Sequence, residues 1–442
     1  MESQVLIVVV SFLALLCLNI PVAVVIGLCT LIVMLSMPEV PATYVMAQRM
    51  SNGISSFPLL AIPFFIMAGI LMGEGGMSRR LIRLATLLVG GFRGGLAYVS
   101  TLTCMLFGAI SGSATAAVSS IGGTMIPAMR NHGYDRDFSI SATTTAATTG
   151  LLIPPSNIMI VYAVVAGNVS VAAMFMAGVL PGILVGLLIM ATCWFLVDGA
   201  MVQGEQMRDA KPIEADPPIE SVSRAQVVLS ALPSLLLILI VLAGILGGVF
   251  SATEASAIAV LYAFLMSFVF YKEVRLRDLP NICFRTGIMT SGVFLLISTS
   301  QAMSWALAYL NIPQTIASLM LEVSENRVVV LLLINAVLLF VGTFMDMTPA
   351  VLIFTPIFLP VAEKLGMHPV HFGVMMVANL CIGLCTPPVG TCLFVGCSVG
   401  RSSIASVTKA MLPFFVSMVL ALIATTFLPF LSLWIPQLLD LL

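Results

Sequence analysis

Charge is what this sequence has least of. Only 8% of its 442 residues are Asp, Glu, Lys or Arg, where an ordinary soluble domain carries about 25%. So few charges cannot clothe a water-soluble surface of this size, which leaves lipid as the solvent for most of the chain. A net charge of −1 gives no basis for holding nucleic acid. Histidine is scarce too: there are three, and His368 and His371 form an HxxH with no third ligand close in sequence, so a metal site is not expected there. The nine cysteines include no CxxC pair and sit mostly inside apolar runs, as small packing residues do. The Walker A, GxSxG and HExxH patterns are all missing. That removes ATP hydrolysis and the common hydrolase chemistries, so no enzyme activity and no cofactor are expected.

What is present is apolar sequence, 60% of the residues, in runs of span length from end to end. The runs are longer than the alternating segments of about ten residues that a β-barrel needs. The expected class is an all-α polytopic membrane protein. The N-terminus, MESQVLIVVV, lacks a basic region and a small-residue cleavage site, so it reads as a retained first helix. Helices are expected at about 4–19, 21–36 and 57–72, with a loop at 37–50. A basic amphipathic stretch follows from residue 79. Gly178, Gly182 and Gly186 recur every four residues in a span at 171–197, which predicts a close helix contact. Residues 201–226 are the one long polar segment and read as a cytoplasmic linker. Further helices are expected at about 227–249, 254–271 and 286–309, then a loop reaching Asn326, and a last span at about 411–434.

The organising feature is a stretch at residues 107–156 that recurs, diverged, 233 positions later. Pro127 lands on Pro360, Gly133 on Gly366, Gly150 on Gly383 and Pro154-Pro155 on Pro387-Pro388. Chance rarely matches a Pro-Pro pair and isolated glycines at one offset, so the chain is read as two repeats, 1–200 and 227–442. Each holds a polar knot within an apolar run (SGSAT at 111–115, GTFMDMTP at 342–349). A continuous span at 95–130 would be far too long, so the run reads as a re-entrant helical hairpin, repeated at about 328–363. Each Pro-Pro pair breaks a following helix, at about 137–166 and 369–398, because proline removes a backbone donor and disfavours helix before it.

Orientation follows from the 18 Lys and Arg. With the N-terminus outside, fifteen fall on one side and only Arg49, Arg327 and Lys364 on the other, which makes the first side cytoplasmic. The first hairpin then opens inward and the second outward. Inverted repeats with discontinuous helices describe a secondary transporter.

Asp346 is the acid that no loop or helix end accounts for, and an intramembrane carboxylate points to function. Na⁺ or H⁺ coordination would keep it ionised; the alternative is a capping or hydrogen-bonding role at the tip. Its partner knot offers only hydroxyls and carbonyls, at Ser111, Gly112, Ser113 and Thr115. The second knot adds Gly342, Thr343 and Thr348. The breaks add Thr149, Gly150, Pro154 and Ser156 in one copy and Gly383, Thr386, Pro387 and Gly390 in the other. Oxygen-rich, mostly neutral ligands suit Na⁺, and two cation sites are expected. No Lys or Arg lies deep in the membrane, so an anionic solute would have to meet helix N-termini and backbone donors.

The segments SFPLLAIPFFIMAGILMGEGG (56–76), FGAISGSATA (107–116), IPPSN (153–157), GTFMDMTPA (342–350) and TPPVGTCLFV (386–395) also carry a resemblance. Over nearly its whole length the chain resembles the large membrane (DctM-like) subunit of tripartite ATP-independent periplasmic, or TRAP, transporters. The resemblance implies an elevator-type fold with separate transport and scaffold domains in the bacterial inner membrane. It implies Na⁺-driven uptake of a small organic acid of the C4-dicarboxylate, sialic acid or sugar-acid class. It implies two partners, a periplasmic substrate-binding protein and a small four-helix membrane subunit; without extra N-terminal helices here, the small subunit is expected as a separate polypeptide. Sodium sites would fall at Ser111–Ser113 with the second break, or at Asp346 with the first break or its neighbours, and the sequence leaves open which tip meets which break. The alternative reading is a stand-alone sodium/anion symporter of related inverted-repeat fold.

Overall fold

The computed structural model describes residues 2–18, 20–200, 223–323 and 326–442; most of the expected linker, 201–222, lies outside the described residues. The first half holds α1 (Glu2–Cys17), α2 (Val22–Leu35), α3 (Ala42–Ile54), a 3₁₀ turn (Phe57–Leu60) leading into α4 (Ala61–Glu74), α5 (Met77–Val89), α6 (Gly95–Ser111), α7 (Ala114–Asn131), α8 (Arg136–Thr149), α9 (Asn157–Ala166) and α10 (Val171–Ala200). The second holds α11 (Arg224–Leu246), α12 (Ala252–Leu265), α13 (Leu279–Tyr309), α14 (Ile312–Val323), α15 (Arg327–Gly342), α16 (Met347–Lys364), α17 (Pro369–Gly383), α18 (Thr391–Gly400), α19 (Ile404–Phe427) and α20 (Phe430–Leu438). Among the described residues, seven helical segments are long and apolar enough to cross a membrane. Helices α6, α9, α15, α17 and α18 are apolar but shorter, whereas α16, in the second hairpin, is one of the seven.

Helix starts coincide at the 233-residue offset: α7 with α16, α8 with α17 and α10 with α19, while α9 and α18 differ by one residue. Both Pro154-Pro155 and Pro387-Pro388 are cis. Each hairpin is tight. Gly112 closes α6 in the left-handed region at φ +59°, and Ser113, extended at φ −140°, caps α7 by accepting from the Ala116 amide at 3.3 Å. Glycine takes the first conformation without Cβ strain, and a serine hydroxyl is a preferred helix cap.

Helices α8 and α17 form the centre and are buried along nearly their whole lengths. In α8 that burial falls on hydroxyls, and the helix satisfies many of them itself: Thr145 donates to the Ser141 carbonyl at 2.8 Å, Thr148 to Thr145 at 2.8 Å and Thr149 to Ala146 at 2.6 Å. Such back-bonding satisfies most of the hydroxyls of a polar helix in an apolar core, although the buried Thr144 hydroxyl has no partner among the described residues. The two central helices meet where the Cys381 thiol reaches the Thr148 carbonyl at 3.3 Å. The glycine ladder of α10 packs as its spacing predicts: Cβ atoms on Gly178 and Gly182 would collide with Leu152 and Ile153 of the first break, and one on Gly186 with Met105 of α6.

Three expectations change. Residues 42–54 are helical because α3 lies on α13, with Gly53 against the Gln301 side chain and the Ser298 hydroxyl donating to the Met50 carbonyl at 3.1 Å. The expected loop before Asn326 contains α14, which packs on α16. The last span starts earlier and breaks at Leu428-Pro429; α20 then runs separately, and its Ser432 bonds the His371 ring. In each case a tertiary partner supports a short helix that local pattern alone left undecided.

Candidate functional site

Both hairpin tips and both helix breaks open onto one cavity of about 500 Å³. From the first tip come Gly112, Ser113 and Thr115; from the second, Asp346 and Thr348. Leu151 and Asn157 border it from the first break, Leu384 and Thr391 from the second. The facing wall is apolar, built by residues 21–23, by Ile62 and Ile66 of α4, and by one face of α13 between Ile288 and Leu296.

Each tip touches the break of its own half, which the sequence left open. A Cβ on Gly112 would stand 2.7 Å from Asn157 Nδ2. In the other half the Val389 and Gly390 amides donate to the Thr343 carbonyl at 3.2 and 3.4 Å. Behind the tips, Gly108 meets Gly150 and Gly342 meets Gly383, backbone against backbone.

Five helices begin at the cavity wall: Val22 starts α2, Ala114 α7, Asn157 α9, Met347 α16 and Thr391 α18, and all five residues line it. A helix N-terminus presents unpaired amides and the positive end of the peptide dipole. Five positive dipole ends thus border the cavity, and no Lys or Arg is in its lining. Its single charged side chain is Asp346. This residue is exposed, and it lines the cavity. It holds the N-cap position of α16 without closing a capping bond, and it pairs with no Lys or Arg among the described residues.

The remaining sequence candidates lie behind the lining. The Thr343, Thr386 and Thr149 hydroxyls are turned onto their own helices, bonding the Phe340, Ile382 and Ala146 carbonyls. Gly150, Gly342 and Gly383 make the backbone contacts just described. Ser111 is buried, its hydroxyl 3.4 Å from the Ser113 carbonyl. Pro154 and Pro387 shape the breaks, and Gly390, at φ +43°, caps α18. Ser156 is fully buried and its hydroxyl has no partner. The same holds for the Asn157 carbonyl oxygen and the Thr391 hydroxyl. Leaving such a group unsatisfied costs about 1–3 kcal/mol, and three of them lie at the two breaks. Asn157 and Thr391 were not among the sequence candidates. Duplication cannot find them, since Asn157 aligns with Gly390 and Thr391 with Ile158.

The sequence pattern of one family, described as "Tripartite ATP-independent periplasmic transporter, DctM component", matches residues 9–431. The chain belongs to that family. It is therefore a multi-pass membrane protein, the large permease of a TRAP transporter, and not an enzyme. It is 46% identical over 432 residues to the uncharacterized protein YgiK of Salmonella typhimurium, covering 97% of this chain and 96% of that one. It is 35% identical over 442 residues to the C4-dicarboxylate TRAP transporter large permease DctM of Rhodobacter capsulatus, covering 96% and 97%. It is 38% identical over 411 residues to the isethionate TRAP transporter permease DctMQ of Oleidesulfovibrio alaskensis, covering 93% of the permease and 63% of that protein. Among solved structures, the YdaH transporter of Alcanivorax borkumensis superposes with a TM-score of 0.65 at 16% identity, covering 91% of this chain and 90% of that one. The permease shares that fold.

Proposed function

We propose that this permease imports a small organic acid by sodium symport and that the 500 Å³ cavity is where solute and ions meet. The observation that carries the reading is the convergence of five helix N-termini and one unpaired carboxylate, Asp346, on a single cavity. Anionic oxygens of the solute take the free amides, as anions do at helix N-termini. Sodium takes the oxygens of the tips: Asp346, Thr348 and the carbonyls near Thr343 on one side, Ser111, Ser113 and Thr115 on the other, with Ser156, Asn157 and Thr391 completing the shells. Each Na⁺ offsets negative charge in the cavity, so solute and ions bind better together than apart, which is the physical content of coupling.

In this reading the two halves are inverted repeats. The hairpins and broken helices travel together as the transport domain, past a scaffold that includes α2, α4 and α13. The N-terminus faces the periplasm, a soluble binding protein delivers the solute there, and a separate small membrane subunit holds the scaffold in the inner membrane. The relatives named for C4-dicarboxylate and isethionate support a carboxylate or sulfonate solute.

The test is reconstitution. Calorimetry on the cognate binding protein identifies the solute. Liposomes holding this chain and its small subunit should then accumulate it only with loaded binding protein outside and an inward Na⁺ gradient. Uptake that ignores the Na⁺ gradient removes the coupling. Uptake by this chain alone establishes the stand-alone symporter instead.

A further inference from the structure

A second polar cavity, about 390 Å³, lies outside the one just described. It is lined by Arg49, Asn52, Gly53 and Ser56 of the α3 region, by Gln301, Ser304, Trp305 and Ala308 of α13, and by Val164 of α9. The two cavities follow the same pair of helices. The inner one reaches Val161 on α9 and Leu296 on α13; the outer one begins at Val164 and Gln301. At 1.5 Å per residue these are steps of only about 4.5 and 7.5 Å. Between them on α13 lies Ser300, buried, its hydroxyl without a partner.

Among the described residues, the polar side chains of the outer cavity are left largely without polar partners. The Arg49 guanidinium forms no ion pair among the described residues; it lies over the Trp305 ring, 5.4 Å from its centroid. Trp305 is itself stacked on Tyr309, which holds the platform still. The side chains of Asn52, Gln301 and Ser304 have no hydrogen-bond partner among the described residues, although Gln301 is held in place by contact with Gly53. A guanidinium braced on an indole, with two amides and a hydroxyl around it in a concave site, suits a carboxylate or sulfonate.

We propose that this cavity is an outer anion station, where the acid group of the solute docks on Arg49 before it enters the inner cavity. This rests on the transporter reading above. It adds a binding site outside both tips and both breaks. A concave site of this size, one to two helical turns from the inner cavity along α9 and α13, fits the small acid itself rather than a protein surface.

The test uses the full chain in nanodiscs with Trp194→Phe and Trp434→Phe, which leaves Trp305 as the sole tryptophan. Iodide should quench Trp305 strongly, and succinate or isethionate should relieve that quenching while choline does not. Arg49→Gln should reduce iodide quenching about threefold or more and leave acrylamide quenching unchanged, with Arg49→Lys in between. In liposomes with loaded binding protein in excess, Arg49→Gln should slow uptake about fivefold or more. Iodide quenching equal in Arg49→Gln and the parent overturns the station. So does an uptake deficit that disappears as binding protein is raised, since Arg49 would then contact the protein. A parent chain that takes up nothing together with its small subunit and loaded binding protein overturns the transporter reading and leaves the quenching result to judge the station by itself.

Discussion

Gly150 and Gly108 meet so closely that a Cβ on Gly150 would lie 2.4 Å from the Gly108 Cα. The second half repeats the contact, with a Cβ on Gly383 2.6 Å from the Gly342 Cα. Backbone, not a flexible side chain, occupies the space, so neither site can absorb a methyl group by rotamer change. These contacts seat each hairpin against its broken helix just behind the tip.

Gly150→Ala and Gly383→Ala should therefore each destabilise the protein by about 1–3 kcal/mol, the usual cost of overpacking. Gly123 of α7, with open space around it, is the control: Gly123→Ala should be neutral or stabilising. Thermal unfolding in one detergent ranks all three, and equal melting temperatures would refute the packing account.

Asp346→Asn should keep the shape of the tip, since the carboxylate closes no capping bond there. It should remove most Na⁺-dependent uptake, a loss of about tenfold or more, because a neutral amide cannot balance the charge of a bound cation. Uptake against external Na⁺ concentration is the measurement. A variant with the wild-type Na⁺ curve would show that Asp346 is not a sodium ligand.

Asn157 stands at the start of α9 with an unpartnered carbonyl oxygen and its amide against Gly112. Asn157→Ala should raise the half-saturating solute or Na⁺ concentration about tenfold, the loss of one well-placed polar contact. Asn157→Asp should separate the roles: if the residue faces the anion, added negative charge worsens binding, and if it faces Na⁺, Na⁺ affinity rises. No change in either constant would remove Asn157 from the site.

His368 caps α17, its Nδ1 accepting from the Val370 amide at 3.3 Å. Burial holds its pKa below the ordinary value, partly offset by the Glu363 carboxylate. The neutral ring is thus the form favoured in the folded protein, and it is also the form that can accept. Its stabilising contribution is full above the unfolded pKa, near 6.5, and is lost as pH falls through the lower folded value. Thermal stability should decline as pH drops below about 6.5, and His368→Asn, which caps without titrating, should flatten that decline. An unchanged pH profile in the variant would exclude His368 as the source.

The sequence by itself determined the class and the family, and it placed the Pro-Pro breaks. These are additive properties: charge scarcity depends on composition, and a Pro-Pro break ends a helix whatever surrounds it. Asp346 was legible for the same reason, as an acid too far from both flanking bases to lie in a loop. Only the tertiary structure decided which residues face a common space. The hydroxyls of Thr149, Thr343 and Thr386 turn back onto their own carbonyls, while Asn157 and Thr391, unmatched between the halves, reach the cavity. Helix α3 exists because α13 supports it, and Arg49 becomes part of a cavity only through that contact. Polar spacing along a chain sets which groups are available; the packing of distant helices sets which of them are left without partners.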